Sequence, residues 1–351
     1  MSIRPAPPER SLTEMSRARL RETLAALGEP KYRADQLHKW IFARGVRDFE
    51  AMTDVPRALR QRLQDEGYTV GRVYVERVRE SVDGTRKVQF RLSDGAAIES
   101  VLIPMPGGVF TQCVSSQVGC AMDCKFCYTG KLGLSRHLTA GEIVDQVVTA
   151  RAAVPPDGRI DHVVYMGMGE PLHNFDAVVE SVHALCDKDG VALSHKRITV
   201  STSGLVPQIE KLGQVAPVNL AISLNATTDE VRDRVMPVNK RWPIAALLEA
   251  VRNYPLPPRR KLTFEYVLLG GVNDTDDDAR RLLKLLKGLP ARVNLIPWNP
   301  FDGTAYARPD DERVRTFQRI LLNRGLTATV RVTKGLDIDA ACGQLGERPA
   351  A

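Results

Sequence analysis

Aromatic residues are scarce in this chain of 351 residues, at 6%, and no stretch stays apolar long enough to cross a bilayer. The longest run without a charge, Ser100–Met122, is broken by Pro104, Pro106 and several glycines, hydroxyls and amides. The opening MSIRPAPPER lacks the apolar core of a secretory leader, so we expect a cytoplasmic protein with no membrane contact. Cysteine is also sparse, and six in a long cytoplasmic chain do not make a disulfide framework. Charged residues at 26% and apolar ones at 43% exclude a collagen-like or largely disordered chain and leave ample material for a core. Positive charge is in surplus. The net charge is +7, and residues 1–80 hold 16 Lys/Arg against 12 Asp/Glu. A moderate basic excess fits a nucleic-acid partner without requiring one.

Apolar residues recur at helical spacing through 11–67: Leu20, Leu24 and Leu27, then Leu37, Trp40 and Ile41, then Leu59 and Leu63. Gly28-Glu29-Pro30 and a turn at 53–56 separate the three groups. This predicts a small helical module over residues 1–70, either merely solvated or docking RNA. From 71 to 105 the period becomes two, around Val73 and Val75 and around Val88, Phe90 and Leu92, with Asp83-Gly84 and Asp94-Gly95 as turns. Antiparallel hairpins linking the module to the next domain are expected there.

Residues 106–336 alternate β-branched runs with amphipathic stretches. Strands are expected at Val109–Val114, His162–Met166, Ile198–Ser201, Val218–Leu224, Leu262–Leu268 and Val293–Pro297, with a closing strand at Ala328–Val332. The fold class is α/β. Six strand–helix units are too few for a closed eightfold barrel, so a partial (βα)6 barrel is preferred over a doubly wound sheet. Either arrangement puts a ligand site at the carboxyl ends of the strands. Residues 337–351 form a C-terminal segment.

Four cysteines, Cys113, Cys120, Cys124 and Cys127, fall within fifteen residues, while Cys186 and Cys342 stand alone. Cys120, Cys124 and Cys127 form C-x3-C-x2-C in GCAMDCKFCYTG, just after the first strand of the α/β region. Structural zinc takes four protein ligands, and none sits at finger spacing, although His137 is a candidate fourth. Three thiolates on one short loop suit a [4Fe–4S] cluster with one iron open to a ligand, and Phe126 is placed to shield it. Gly167, Gly169 and Glu170 follow the strand His162–Met166. Glycines there permit close backbone approach, and Glu170 offers an acceptor for an ammonium group; a tight turn explains the same residues. Cys186 reads as a core residue.

The C-x3-C-x2-C loop resembles the radical S-adenosylmethionine (SAM) signature. Together with CVSSQVGC (113–120), GMGEPL (167–172), STSG (201–204), SLNA (223–226), IPWNPF (296–301) and DIDAACGQL (337–345), it resembles the RlmN/Cfr family of RNA adenine methyltransferases. KYRADQLHKWIF and FEAMTDVP are similar to that family's N-terminal RNA-binding module.

The resemblance implies a cluster held by Cys120, Cys124 and Cys127, whose open iron chelates SAM. It implies that Gly169 and Glu170 contact SAM, that Ser201, Ser223, Leu224 and Asn225 line its ribose and carboxylate side, and that Asn299 lies at its adenine. Two SAM molecules serve each turnover. Cys342 becomes an S-methylcysteine, a transient protein–RNA adduct forms, Glu99 accepts a proton, and Cys113 resolves the adduct by a disulfide with Cys342. Glu99 stands one residue further from Cys113 than the family pattern has it. The implied partners are 23S rRNA, a subset of tRNAs and an electron donor such as a flavodoxin system, with the enzyme a monomer. The implied product is 2-methyladenosine. The sister activity at carbon 8, which confers antibiotic resistance, shares every one of these residues. A radical SAM enzyme acting on a small molecule or protein would not need Cys342 and Cys113, and a zinc-binding RNA adaptor would be colourless.

Overall fold

The computed structural model describes residues 10–257 and 259–347. Residues 1–9, Pro258 and 348–351 lie outside it, and with them the opening read for a leader. Among the described residues no helix is long and apolar enough to cross a membrane.

The N-terminal periodicity becomes three helices. In α1 (Arg17–Ala26), Ser16 accepts from the Arg19 amide as a cap, and Leu20 and Leu24 are buried. Helix α2 (Lys31–His38) starts after Pro30 and runs on through a π turn at Lys39–Ala43, burying Leu37, Ile41 and Phe42. Helix α3 (Arg57–Asp65) starts after Pro56 and buries Leu59 and Leu63. The module meets the rest of the chain through Glu14, Arg47 and Thr13. Glu14 accepts from the Thr139 hydroxyl and the Gly141 amide, while Arg47 and Thr13 both bond Asp145.

Ten strands then form one sheet. β1 (Val73–Glu80), β2 (Arg86–Leu92), β3 (Ala97–Met105) and β4 (Val109–Cys113) are antiparallel neighbours. From β4 the order continues in parallel through β7 (Arg159–Tyr165), β8 (Ile198–Thr202), β9 (Asn219–Ser223), β10 (Leu262–Leu268), β11 (Ala291–Pro297) and β12 (Thr327–Val330). The short hairpin β5 (Gln117–Gly119) and β6 (Leu134–His137) stands apart. The linking hairpins are therefore an extension of the barrel's own sheet.

Every parallel crossover steps one strand in the same direction. Right-handed crossovers then place all helices on one face, and the twisted sheet curls around the other. A doubly wound sheet would reverse its order at a switch point, and this one does not. Helices α5 (Ala140–Ala150), α6 (Phe175–Cys186), α7 (Val206–Val215), α9 (Ile244–Arg252), α10 (Asp276–Leu285) and α11 (Asp311–Leu322) follow the strands, and sequential contacts such as α5 on α6 and α10 on α11 make the outer layer. Two shorter helices, α4 (Tyr128–Lys131) and α8 (Asp229–Val235), sit at the strands' carboxyl ends. Among the described residues no ladder joins β12 to β1, so the barrel is open.

Candidate active site

The carboxyl ends of the parallel strands surround a cleft open to solvent. Cys120, Cys124 and Cys127 line one side, Gly169, Glu170, Ser201, Ser223 and Asn225 another, and Asn299 and Cys342 a third.

The cysteine loop is set by its backbone. Gly119 has φ +76°, and a Cβ there would lie 1.8 Å from the Gly133 carbonyl oxygen, so only glycine lets the β5–β6 hairpin close. The Cys120 amide donates to that same oxygen at 2.9 Å, and the Cys127 amide donates to the Cys124 carbonyl at 3.0 Å. Phe126 packs with Trp298, Phe301 and Met236, and its carbonyl accepts from the Trp298 indole at 3.0 Å. Burial pushes the Cys120 thiol up to about 12 and raises Cys124 and Cys127, against which the Arg232 guanidinium favours the Cys124 thiolate.

Such thiols lose their protons to a metal. His137, the candidate fourth zinc ligand, bonds Gln117 through Nδ1 at 2.9 Å, stacks edge-on against His173 and does not line the cleft. Among the described residues no three His, Cys, Asp or Glu side chains, the loop thiols included, are already gathered on one point as an ion site. Three thiols facing an otherwise open cleft suit a cluster with an unligated iron better than a closed zinc site.

The Gly167–Glu170 turn packs against this loop. A Cβ on Gly167 would meet the Val114 carbonyl at 2.7 Å, and one on Gly169, at φ +102°, the Gln117 side chain at 2.6 Å. Glu170 accepts from the Leu172 amide at 3.0 Å and the Ser203 amide at 2.7 Å. Burial raises its carboxyl and these amides oppose the rise. Asn225, at φ 55°, accepts from the Val267 amide at 2.7 Å. Leu224, by contrast, is wholly buried and its side chain does not reach the cleft.

Arg232 on α8, also wholly buried, braces this wall. It donates to the carbonyls of Leu224 at 2.9 Å, Ser203 at 2.6 Å and Ser223 at 3.1 Å.

Of the three remaining thiols, Cys186 ends α6 away from the cleft, while Cys113 and Cys342 lie within electrostatic reach of each other. Cys113 ends β4, opposite Val101, and burial and the charge of Cys342 push its thiol up to about 12. Cys342 is exposed at the cleft's rim, where the Asn299 side-chain amide holds its carbonyl at 3.0 Å. The implied disulfide is not a standing bond: all six cysteines are free. The segment after β12 runs back to the other edge of the sheet. Asp337 accepts from the Ser81 hydroxyl at 2.5 Å, Asp83 from the Gly335 amide at 3.1 Å, and Lys87 donates to the Asp339 carbonyl at 3.2 Å. Glu99 belongs to this anchorage. It pairs with Lys87 at 3.0 Å and accepts from the Gly346 amide at 2.8 Å, in a groove beside the cleft.

Reading the sequence missed Ser203, Arg232, Glu265 and Arg331, all charged or polar groups at or beneath the cleft wall. The one signal was an ionisable residue inside an apolar strand, Glu265 in LTFEYVLL.

Comparison with known proteins gives the same picture. The model of the radical SAM superfamily matches residues 114–286, and that of the ribosomal RNA large subunit methyltransferase N-terminal domain matches residues 10–68. The chain is 51% identical to the dual-specificity RNA methyltransferase RlmN of Syntrophotalea carbinolica, over 93% of this chain and 86% of that one. It is 49% identical to the RlmN of Geobacter sulfurreducens, over 93% and 89%. The crystal structure of a radical SAM methyltransferase from Sphaerobacter thermophilus superposes with a TM-score of 0.92 at 45% identity, covering 96% of this chain and 99% of that one. With a partial barrel, a three-thiol loop at its mouth and relatives of this closeness over nearly the whole chain, the protein belongs to the RlmN family of the radical SAM superfamily.

Proposed function

We propose that this enzyme methylates carbon 2 of an adenine in large-subunit ribosomal RNA and in a subset of tRNAs. The observation that carries the reading is Cys342 on the cleft with Cys113 buried within electrostatic reach of it, two thiols beyond the three a cluster needs. Adenine carbon 2 lies between ring nitrogens and is a poor nucleophile, so a direct polar transfer fails and the methyl group must first rest on a protein sulfur. The relatives named above bear the RlmN name, so the carbon-8 activity is not favoured.

Cys120, Cys124 and Cys127 would hold a [4Fe–4S] cluster. Bound there, cluster and SAM supply an electrophilic methyl group and a hydrogen-abstracting radical. Gly169, packed on Gln117, lets the turn bring its backbone to the ligand, and Glu170, with its remaining lone pairs, accepts from an ammonium group. Ser201, Ser223 and Asn225 offer polar contacts along the same wall, and Asn299 both holds the Cys342 carbonyl and borders the cleft. Leu224 contributes through its backbone.

Cys342 carries the methyl group on sulfur, at a rim position that RNA can reach. Once carbon is joined to the adenine, Cys113 loses its proton and attacks the Cys342 sulfur. The S–S bond forms as the sulfur–carbon bond breaks, and the electron pair of the broken bond stays on carbon. That carbon takes a proton to become the methyl group of the released base, leaving a disulfide as a state of turnover. Glu99 is our candidate proton acceptor, and acting on the base requires it to exchange its Gly346 contact. The helical module, residues 10–70, would hold RNA phosphates, and the target base would leave its stack to reach the cleft. A flavodoxin-type donor would supply electrons to the monomer.

The test is reconstitution with iron, sulfide, SAM, a reductant and a 23S rRNA fragment, followed by nucleoside mass spectrometry. The expected product is 2-methyladenosine. Formation of 8-methyladenosine transfers the enzyme to the sister activity, and a cluster-loaded protein that makes no methylated nucleoside refutes the reading.

A further inference from the structure

A row of side chains runs from the cleft wall, at Ser223 and Glu265, out to the edge strand β12. Ser223, Glu265, Asn294 and Thr329 are register partners on β9, β10, β11 and β12, so all four point to one face. The Thr329 hydroxyl donates to Asn294 Oδ1 at 2.7 Å, and Asn294 Nδ2 donates to Glu265 Oε1 at 2.9 Å. The chain of hydrogen bonds ends there. Glu265 Oε2 is buried and has no hydrogen-bond partner. An unpaired buried carboxylate oxygen is costly to keep from water, and a bound donor would recover that cost. Two residues further along the strands, Val267 and Ile296 make the next row, and Arg331 continues it on the far side of β11. Arg331 lines the cleft, makes no side-chain hydrogen bond or ion pair to any described residue, and lies within electrostatic reach of Cys342, Glu265 and Cys113. Cys342, Arg331 and Glu265 thus share the cleft lining, with Arg331 within electrostatic reach of both others.

The edge of adenine that starts at carbon 2 has the complementary order. Carbon 2 is followed by N1, an acceptor, and then by the exocyclic amino group, a donor. We propose that Arg331 and Glu265 read the target base of the RNA, the guanidinium donating to N1 and Glu265 Oε2 accepting from the 6-amino group, while carbon 2 faces Cys342. This deepens the reading proposed above and rests on it. It assigns the choice of adenine to two residues outside the motifs of the cysteine loop and the SAM wall. Reading a displaced base by its pairing edge requires a donor and an acceptor in this arrangement.

The experiment uses the reconstituted enzyme and rRNA fragments in which the target adenosine is replaced by purine riboside, which lacks the amino group, by 1-deazaadenosine or by 7-deazaadenosine. Single-turnover methylation by wild type should fall about tenfold or more with purine riboside and with 1-deazaadenosine, the loss expected for one hydrogen bond to a charged group. The 7-deaza base should stay within about threefold of adenosine. In Glu265→Leu the adenosine-to-purine ratio should collapse toward one, and in Arg331→Met the adenosine-to-1-deaza ratio should do the same. A ratio is not moved by a general loss of folded protein. Ratios unchanged from wild type in both variants, or a changed SAM requirement for Cys342 methylation with base selectivity intact, overturn the assignment and give the pair to SAM. If neither variant folds, the wild-type series still decides, since equal rates on adenosine and purine riboside end the proposal. Wild type that methylates no adenosine ends the proposed function, whereas wild type that methylates adenosine but ignores the analogues ends this inference alone.

Discussion

At the scale of single residues, Cys113 and Cys342 should fail at different steps. Cys342→Ala should yield neither methylated protein nor RNA adduct. Cys113→Ala should still load Cys342 and join it to the base, and then stall. Purified Cys113→Ala should therefore carry RNA that survives a denaturing gel and disappears with ribonuclease. A Cys113→Ala protein with methylated Cys342, intact cluster and no RNA-linked band would falsify the resolving role. Arg232 is a different kind of residue, a cation with no access to solvent that serves three carbonyls on the cleft wall. Replacing it by Met strands those carbonyls, and we expect a loss of about 3 kcal/mol or more in urea unfolding. Residues such as Arg232 were illegible in the sequence because α8 has no apolar stripe. Its charged run, DEVRDRV, reads as solvent-facing until the tertiary fold turns one of its arginines inward. The cysteine loop was legible because its spacing is itself the chemistry.

At the scale of elements, the β-branched runs located all seven parallel strands, and helical spacing located the three N-terminal helices. They did not locate β5 and β6, short strands inside the cysteine loop whose pairing depends on Gly119 rather than on any alternation. The contact between the N-terminal module and α5 was likewise invisible. There Glu14 lies on the first turn of α5, and burial, with the nearby charges of Glu142 and Asp145, pushes its carboxyl up to about 7. The folded state thus holds the proton more tightly than the unfolded chain, so the contribution of Glu14 to stability is greatest at acid pH. It is lost as pH rises from about 4.5 to about 7, by up to about 3 kcal/mol at 1.36 kcal/mol per pH unit. Glu14→Gln cannot ionise and retains an acceptor for α5. Urea midpoints at pH 5 and pH 8 should lie closer together in Glu14→Gln than in wild type, and an unchanged gap would show that Glu14 stays ionised throughout.

At the scale of the whole molecule, the order of the strands decides both the curl of the sheet and the place of the cleft. The expectation of a partial barrel followed from counting strand–helix units, whereas the antiparallel extension through β1, β2 and β3 could not be counted, since hairpins look alike whether they link domains or widen a sheet. If the helical module holds RNA by its phosphates, removing residues 1–70 should weaken rRNA-fragment binding while the cluster still assembles. Binding by the full chain should fall steeply between about 50 and 200 mM salt. Equal affinity with and without the module would move RNA docking elsewhere.

The C-terminal segment spans the gap that the missing strands leave, tied to the β1–β2 turn by Asp337 on Ser81 and by Asp83 on Gly335. Asp337→Ala should therefore slow Cys342 methylation while the melting temperature of the cluster-loaded protein changes by no more than about 2 °C. An equal rate would make the tie dispensable. Surface turns are ordinarily where sequences drift without penalty. Here the Ser81–Asp83 turn fastens the tail that carries Cys342, so a change of one or two atoms in it should displace the sulfur. The turn and the tail must therefore be inherited as a matched pair, and a chimera that takes them from different parents would fold, bind its cluster and miss its target.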